Sequence, residues 1–278
     1  MLLVLNVNNT NTVIALYALT PDGRTGELRA TWRISTRQGQ TADEYGILIR
    51  SLLQHENVET GAIRGVVIAS VVPPIDWILR QFCERTFAQK PLFIEPGVKT
   101  GLPILTDNPG EVGADRVANC VGAFHKYGGP TIVVDFGTAT NFDVVSKKGE
   151  FLGGAIAPGL NISAEALFAR AARLPRVEIR RPTKIIGTNT VDNLQIGLFW
   201  GHIGLVDSIL ERMMAELGPE TKCVATGGLA HLIARESKYI SEVNDRLTLE
   251  GLRLIYDRNR AARNPAHSEP QPARSSGA

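Results

Sequence analysis

Hydrophobic and polar positions fall into blocks that predict most of the chain's secondary structure. Met1–Val7 is almost continuously apolar, Asn8–Asn11 interrupts it with turn formers, and Thr12–Tyr17 resumes β-branched and apolar character, which predicts a β-hairpin. Leu28–Ile34 reads as a third strand. Thr41 precedes Ala42-Asp43-Glu44, and Tyr45, Leu48, Ile49, Leu52 and Leu53 then recur at helical spacing, the signature of a capped amphipathic helix. Gly65–Val72 is an apolar strand ended by Pro73-Pro74, with a helix expected over Ile75–Phe87 and a weaker strand over Leu92–Ile94. Asn108 and Pro109 supply an N-cap and first helical residue for a helix through Val112, Ala114, Val117 and Val121.

The pattern then restarts. Thr131–Asp135 is a strongly apolar strand, Phe136–Ala139 a tight glycine-containing turn, Thr140–Val145 a second strand and Phe151–Ile156 a third. Helices are expected near Asn161–Ala172, Thr190–Glu216 and Leu247–Asp257, with a strand over Lys222–Thr226 and a Gly227-Gly228 turn. Gly197, Gly201 and Gly204 put small residues at near-helical spacing, so that another element could approach closely there. The repeated strand, turn, strand, strand order predicts an α/β protein of two similarly built halves, 1–118 and 119–257. From Arg258 to Ala278 the sequence is rich in Arg, Pro, Ser and Ala without apolar periodicity, and a mobile tail is expected.

Composition narrows the function. The 30 basic and 28 acidic residues leave a formal net charge of +2, spread along 278 residues, so nucleic acid and membrane are not expected partners. The apolar start is too short for a signal or membrane-spanning segment, and a cytoplasmic location is expected. Cys83, Cys120 and Cys223 show no paired spacing, as suits reduced core thiols, and the 5 histidines form no metal-ligand pattern.

Two hairpin turns carry candidate chemistry. Asn8-Asn9-Thr10-Asn11 and Gly137-Thr138-Ala139-Thr140 can each present backbone N–H groups and hydroxyls to phosphate oxygens, although such turns also serve simply to reverse the chain. Asp135 ends a buried strand, where a carboxylate either holds a cation or accepts hydrogen bonds from the following turn. Asp115 and Arg116, flanked by small and apolar residues, read either as a solvated helical ion pair or as groups facing a cleft; Asp143 reads as structural.

Taken in order, Asn6-Val7-Asn8-Asn9-Thr10-Asn11-Thr12, Trp32–Thr36, Thr41–Tyr45, Ser70–Pro73, Asp107–Pro109 with Gly113–Arg116, Asp135–Thr140, Ile186–Thr190 and Ala225–Leu229 resemble the type III pantothenate kinases over nearly the whole chain to about residue 257. The resemblance implies two ribonuclease-H-like domains of the acetate and sugar kinase/Hsp70/actin type. It also implies a homodimer and phosphorylation of pantothenate by ATP in the presence of Mg2+ and a monovalent cation, K+ or NH4+. By the same resemblance Asp115 is the catalytic base, and Gly113, Ala114, Asp115, Arg116 and Thr190 contact pantothenate. Asp135 holds the monovalent cation, while Asn6, Val7, Asn8, Asn9, Thr10, Asn11, Thr12, Val13 and Thr138 contact ATP. Asn6 and Asn8 depart from the family's first-strand Asp and following Gly. Asn8 suits a turn, because Asn enters left-handed conformations readily, but Asn6 lacks the charge that would face magnesium. Two rivals therefore stand beside the enzyme: a member with weakened or lost activity acting as a binding or regulatory protein, and a kinase for another small alcohol.

Overall fold

The structure, a computed structural model, describes residues 1–21, 23–171 and 173–263. Its first sheet has the order β3-β2-β1-β4-β5, from β1 (Leu2–Val7), β2 (Asn11–Leu19), β3 (Thr25–Ser35), β4 (Gly65–Ser70) and β5 (Leu92–Phe93). The second has the order β10-β9-β6-β7-β8, from β6 (Thr131–Phe136), β7 (Ala139–Val145), β8 (Phe151–Pro158), β9 (Lys222–Gly227) and β10 (Glu242–Val243). In each, a central strand (β1 or β6) pairs antiparallel with the strand that follows it and parallel with one that returns through a helix. The internal repeat expected from the pattern is thus two sheets of one topology.

Side-chain alternation explains what covers each face. On β1, Leu3, Leu5 and Val7 join Tyr45, Ile49 and Leu53 of α1 (Ala42–His55) and Leu79 and Phe82 of α2 (Asp76–Phe87). Leu2 and Val4, on the other face, join Ala114 and Ala118 of α3 (Ala114–Tyr127) and Leu249, Leu252 and Ile255 of the C-terminal helix, which runs over Leu247–Arg263. In the second sheet Ile132, Val134 and Phe136 pack on Phe199, Ile203 and Val206 of a long helix, Thr190–Leu217. Val133 faces Cys120 and Ala123 of α3. The helices after α3 are α4 (Leu160–Arg170), α5 (Thr190–Leu217), α6 (Ala230–Ala234) and α7 (Leu247–Arg263). The α3–α7 pair therefore touches both sheets and lies between them.

That crossing is tight. A Cβ on Gly122 would meet the Leu247 carbonyl oxygen at 2.6 Å, and one on Gly251 would meet the Ala118 carbonyl oxygen at 1.8 Å. Close approach was expected instead at Gly197, Gly201 and Gly204 on α5, yet within this chain nothing stands within 4 Å of a Cβ at any of them.

Among the boundaries that differ from expectation, three have a clear physical reason. Pro109–Glu111 is a short 3-10 turn and α3 starts only at Ala114, because Val112 and Gly113 are extended, with ψ of 120° and 140°. Glycines at 110 and 113 weaken the helix that the Asn108 cap would otherwise start. The strand β3 runs from Thr25 to Ser35, beyond the apolar positions, because its backbone pairs with β2. At the C-terminus the helix runs through Arg263 rather than Asp257. Asn259 anchors it by accepting from Lys99 N at 3.2 Å and donating to Lys99 O at 2.9 Å. The rest of the expected tail, 264–278, and Ala172 at the expected end of α4 lie outside the described residues. Among the described residues no helix is long and apolar enough to cross a membrane.

Candidate active site

β1 with β4, and β6 with β9, run parallel as neighbours, so their carboxyl ends lie together, the usual location of ligand crevices in parallel α/β sheets. The alternation that turns Leu2 and Val4 toward α3 and α7 turns Asn6 the same way, and the alternation of Val133 does so for Asp135. Asn6 is 7 % exposed, and its Oδ1 is buried without a hydrogen-bond partner. A buried amide oxygen in that state is a costly acceptor left free for a donor.

Two turns flank this side. In the first, Asn8 N donates to Asn11 O at 3.1 Å, while Asn9 and Thr10 are exposed. Thr12, fully buried, shares a hydrogen bond of 2.9 Å with the Thr36 hydroxyl, and Thr36 N donates to Thr10 O at 3.0 Å, which fixes the hairpin against β3. Val7 and Val13 are backbone neighbours of this turn on β1 and β2. In the second, Gly137 N donates to Ala139 O at 3.0 Å and Thr138 is exposed at the tip. Just behind it the buried Thr140 hydroxyl bonds His202 Nε2 of α5 at 3.2 Å.

The start of α3 supplies the charges. Gly113 is the N-cap residue without a side-chain cap, and Asp115 takes that role in part, its Oδ1 accepting from Arg116 N at 2.8 Å. Arg116 does not form a solvated pair with its helix neighbours. Its Nε and Nη2 both reach Asp143 Oδ1 on β7, at 2.8 and 2.5 Å, while Asp143 Oδ2 has no partner. Asp135 accepts from Asn119 Nδ2 at 2.9 Å, not from the turn that follows it.

Burial dominates the titration of all three acids. It raises the Asp115 carboxyl, opposed by the Arg116 N–H and guanidinium. Burial, followed by the nearby Asp115 charge, pushes Asp135 up to about 7 against the Asn119 hydrogen bond. Asp143 rises to about 6 through burial, against the Arg116 hydrogen bonds. Carboxyls raised toward neutrality in a cleft are a frequent mark of function.

Gly113, Ala114, Asp115 and Arg116 therefore share one helix start, and Asp135 is tied to the same helix through Asn119. Thr190 does not join them by any hydrogen bond: it is exposed on the first turn of α5, where Asn189 caps the helix by accepting from Asp192 N at 2.9 Å. Asp143, Asn119 and His202 were not marked out by sequence as parts of a site. The signal for the first two was available, since each is polar at a position whose periodic neighbours are buried. Among the described residues no group of three or more His, Cys, Asp or Glu side chains is arranged to hold a metal ion.

Two sheets of one topology, each with a turn at the end of its central strand, give the chain the acetate and sugar kinase/Hsp70/actin class of fold. Solved structures share the fold. A Baf family protein from Campylobacter jejuni aligns with a TM-score of 0.57 at 17 % identity, covering 93 % of this chain and 98 % of the other. The activator of 2-hydroxyisocaproyl-CoA dehydratase from Clostridium difficile, with bound ADPNP, aligns with a TM-score of 0.51 at 14 % identity, covering 97 % and 98 %.

Within that class the type III pantothenate kinase family pattern matches residues 2–212. Type III pantothenate kinases of Acidobacterium capsulatum and Koribacter versatilis are 81 % and 61 % identical to this chain, covering 95 % and 94 % of it and 97 % of each relative. That of Myxococcus xanthus is 54 % identical, covering 94 % of the chain and all of the relative. The chain belongs to the type III pantothenate kinase family, and is accordingly a kinase, a transferase acting on an alcohol group. No finding supports the inactive binding-protein alternative.

Proposed function

We propose that this chain transfers the γ-phosphoryl group of ATP to the hydroxyl of pantothenate, giving 4′-phosphopantothenate and ADP at the head of coenzyme A synthesis, with Asp115 as the base. The observation that carries this reading is Asp115 itself, a carboxylate raised by burial yet kept ionisable by the first N–H groups of α3. A base whose pKa rises toward the operating pH takes a hydroxyl proton more effectively. Gly113, Ala114, Arg116 and Thr190 contact pantothenate on this reading. Arg116, anchored by Asp143, presents its remaining N–H groups as a positioned cation.

The exposed turn at Asn8–Asn11 and the one ending in Thr138 contact the ATP phosphates, with Asn6, Val7, Thr12 and Val13 supporting the first. Phosphoryl transfer demands chiefly positioning and neutralisation of charge, and magnesium with a monovalent cation supplies part of that neutralisation when bound. The residues fit these ions. Magnesium keeps most ligands as water and phosphate, so one unpartnered amide oxygen, Asn6 Oδ1, suits its hydrated shell, while Asp135 suits K+ or NH4+.

The two halves divide at 1–118 and 119–257, and the protein acts in the cytoplasm as a homodimer. Support for the dimer comes from the open glycine stripe on α5 together with exposed Ile156 (63 %), Ile185 (66 %) and Ile186 (78 %). Asp115→Asn tests the reading: turnover should fall at least about a hundredfold while pantothenate binding, measured calorimetrically, persists. Near-normal turnover in this variant would remove Asp115 as the base.

A further inference from the structure

A line of side-chain hydrogen bonds runs from α7 to the second sheet. Thr248, in the first turn of α7, bonds Asn119 Oδ1 at 2.6 Å, and Asn119 Nδ2 bonds Asp135 Oδ2 at 2.9 Å. Asn119 is 0 % exposed. It lies one helical turn after Asp115, so the base and this amide share a face of α3.

The direction of the line is fixed by chemistry. In the ionised, cation-facing form of Asp135 the carboxylate only accepts, so Asn119 turns its NH2 to Asp135, which leaves its carbonyl oxygen toward Thr248 and requires the hydroxyl to donate. With Oδ2 committed, the second oxygen of Asp135 is set apart: a Cβ on Gly227 would lie 2.6 Å from Oδ1, and one on Gly137 3.8 Å from it. Glycine at both places leaves Oδ1 facing bare backbone at the ends of β6 and β9.

We propose that Asn119 is a positioning residue, oriented by Thr248, that holds Asp135 with its free carboxylate oxygen directed into the cleft. The proposal rests on the reading of Asp135 as the cation-facing carboxylate. It adds a reason for α7 to close over α3: the C-terminal helix sets the amide that sets the acid. Partners one step removed from a bound ion typically change affinity or activity by about 10- to 100-fold when lost.

Asn119→Leu, Thr248→Val, Thr248→Ser and the Asn119→Leu/Thr248→Val double variant test it. Each is assayed for kcat, for KM of ATP and of pantothenate, and for the potassium concentration giving half-maximal rate. Asn119→Leu should lower kcat about tenfold and raise the half-activating potassium concentration about as much, with the pantothenate KM nearly constant. Added potassium should raise the Tm of the native protein, and Asn119→Leu should abolish that rise. Thr248→Val should show a smaller version of the same changes, and Thr248→Ser should restore most of the loss. The double variant should be no worse than Asn119→Leu, because members of one network do not add. A lowered Tm with kcat and potassium response intact, or losses that multiply in the double variant, would overturn the proposal. Asp135→Ala separates the two claims: an unchanged potassium response there removes the cation reading, and non-additivity in kcat alone then decides the relay.

Discussion

Replacing Arg116 by Met leaves the Asp143 carboxylate without its partner while keeping an unbranched stem beside Phe151, over whose ring the guanidinium carbon sits at 5.7 Å. The Asp143 side chain is 0 % exposed and that of Arg116 16 %. Breaking such a pair commonly costs about 3–5 kcal/mol, but Asp143 has another recourse, which is to take up a proton. Its folded pKa of about 6 lies above the reference 3.8. The folded state therefore binds the extra proton, and stability contributed by that proton is full below pH 3.8 and lost as pH rises through 6. In the variant the folded pKa moves higher and the loss continues past 6. At pH 7.5 the added cost is capped at the difference of about 1.5 pH units times about 1.4 kcal/mol, or about 2 kcal/mol. That corresponds to a Tm lower by roughly 4–8 °C at this chain length. At pH 5.5 the native Asp143 is itself largely protonated, and the difference should nearly vanish. Calorimetric melts of both proteins at the two pH values measure this, and a Tm difference as large at pH 5.5 as at 7.5 would refute the reasoning.

Three further outcomes follow from named contacts. Asn6→Asp restores a charge at a buried position with an unpartnered oxygen, so the magnesium and ATP concentrations for half-maximal rate should both fall while the pantothenate KM holds; magnesium dependence unchanged would show that the residue does not face the ion. Gly251→Ala pushes a Cβ to 1.8 Å from the Ala118 carbonyl oxygen, and should lower stability by about 3 kcal/mol in denaturant melts, whereas Gly201→Ala, with open space at its Cβ inside α5, should raise the monomer's stability by up to about 1 kcal/mol. Truncation after Asp257 removes both Asn259 bonds to Lys99 and should cost about 1–2 kcal/mol in the same melts.

Local chemistry made much of this legible in the sequence. Thr41 and Glu44 form the reciprocal cap, Glu44 N donating to the Thr41 hydroxyl at 3.3 Å and Thr41 N to Glu44 Oε2 at 2.7 Å. Both hairpins fall where turn residues interrupt β-branched runs, and the repeated pattern became two sheets of like topology. What escaped was long-range. Asp143 pairs with a residue 27 positions earlier, and Asn119 with one 129 positions later, through Thr248. A strand aspartate and a helix asparagine look alike whether they meet partners or water, until the fold brings α3, β7 and α7 together. The glycines of α5 and of the α3–α7 crossing are likewise the same residue type at helical spacing, and only packing tells Gly251, which is pressed against a backbone, from Gly201, which is open. The helix past Asp257 was hidden because Arg258, Asn259 and Arg260 carry no apolar periodicity; the backbone of Lys99, not a core, holds it.

Phosphoryl transfer to pantothenate is the activity on which every assigned residue role depends. Incubation of the purified chain with pantothenate, ATP and magnesium, with potassium or sodium, followed by mass spectrometry of the products, tests it directly. The expected products are 4′-phosphopantothenate and ADP in equal amounts, formed faster with potassium than with sodium. ADP without phosphopantothenate, or no turnover in either salt, would contradict it.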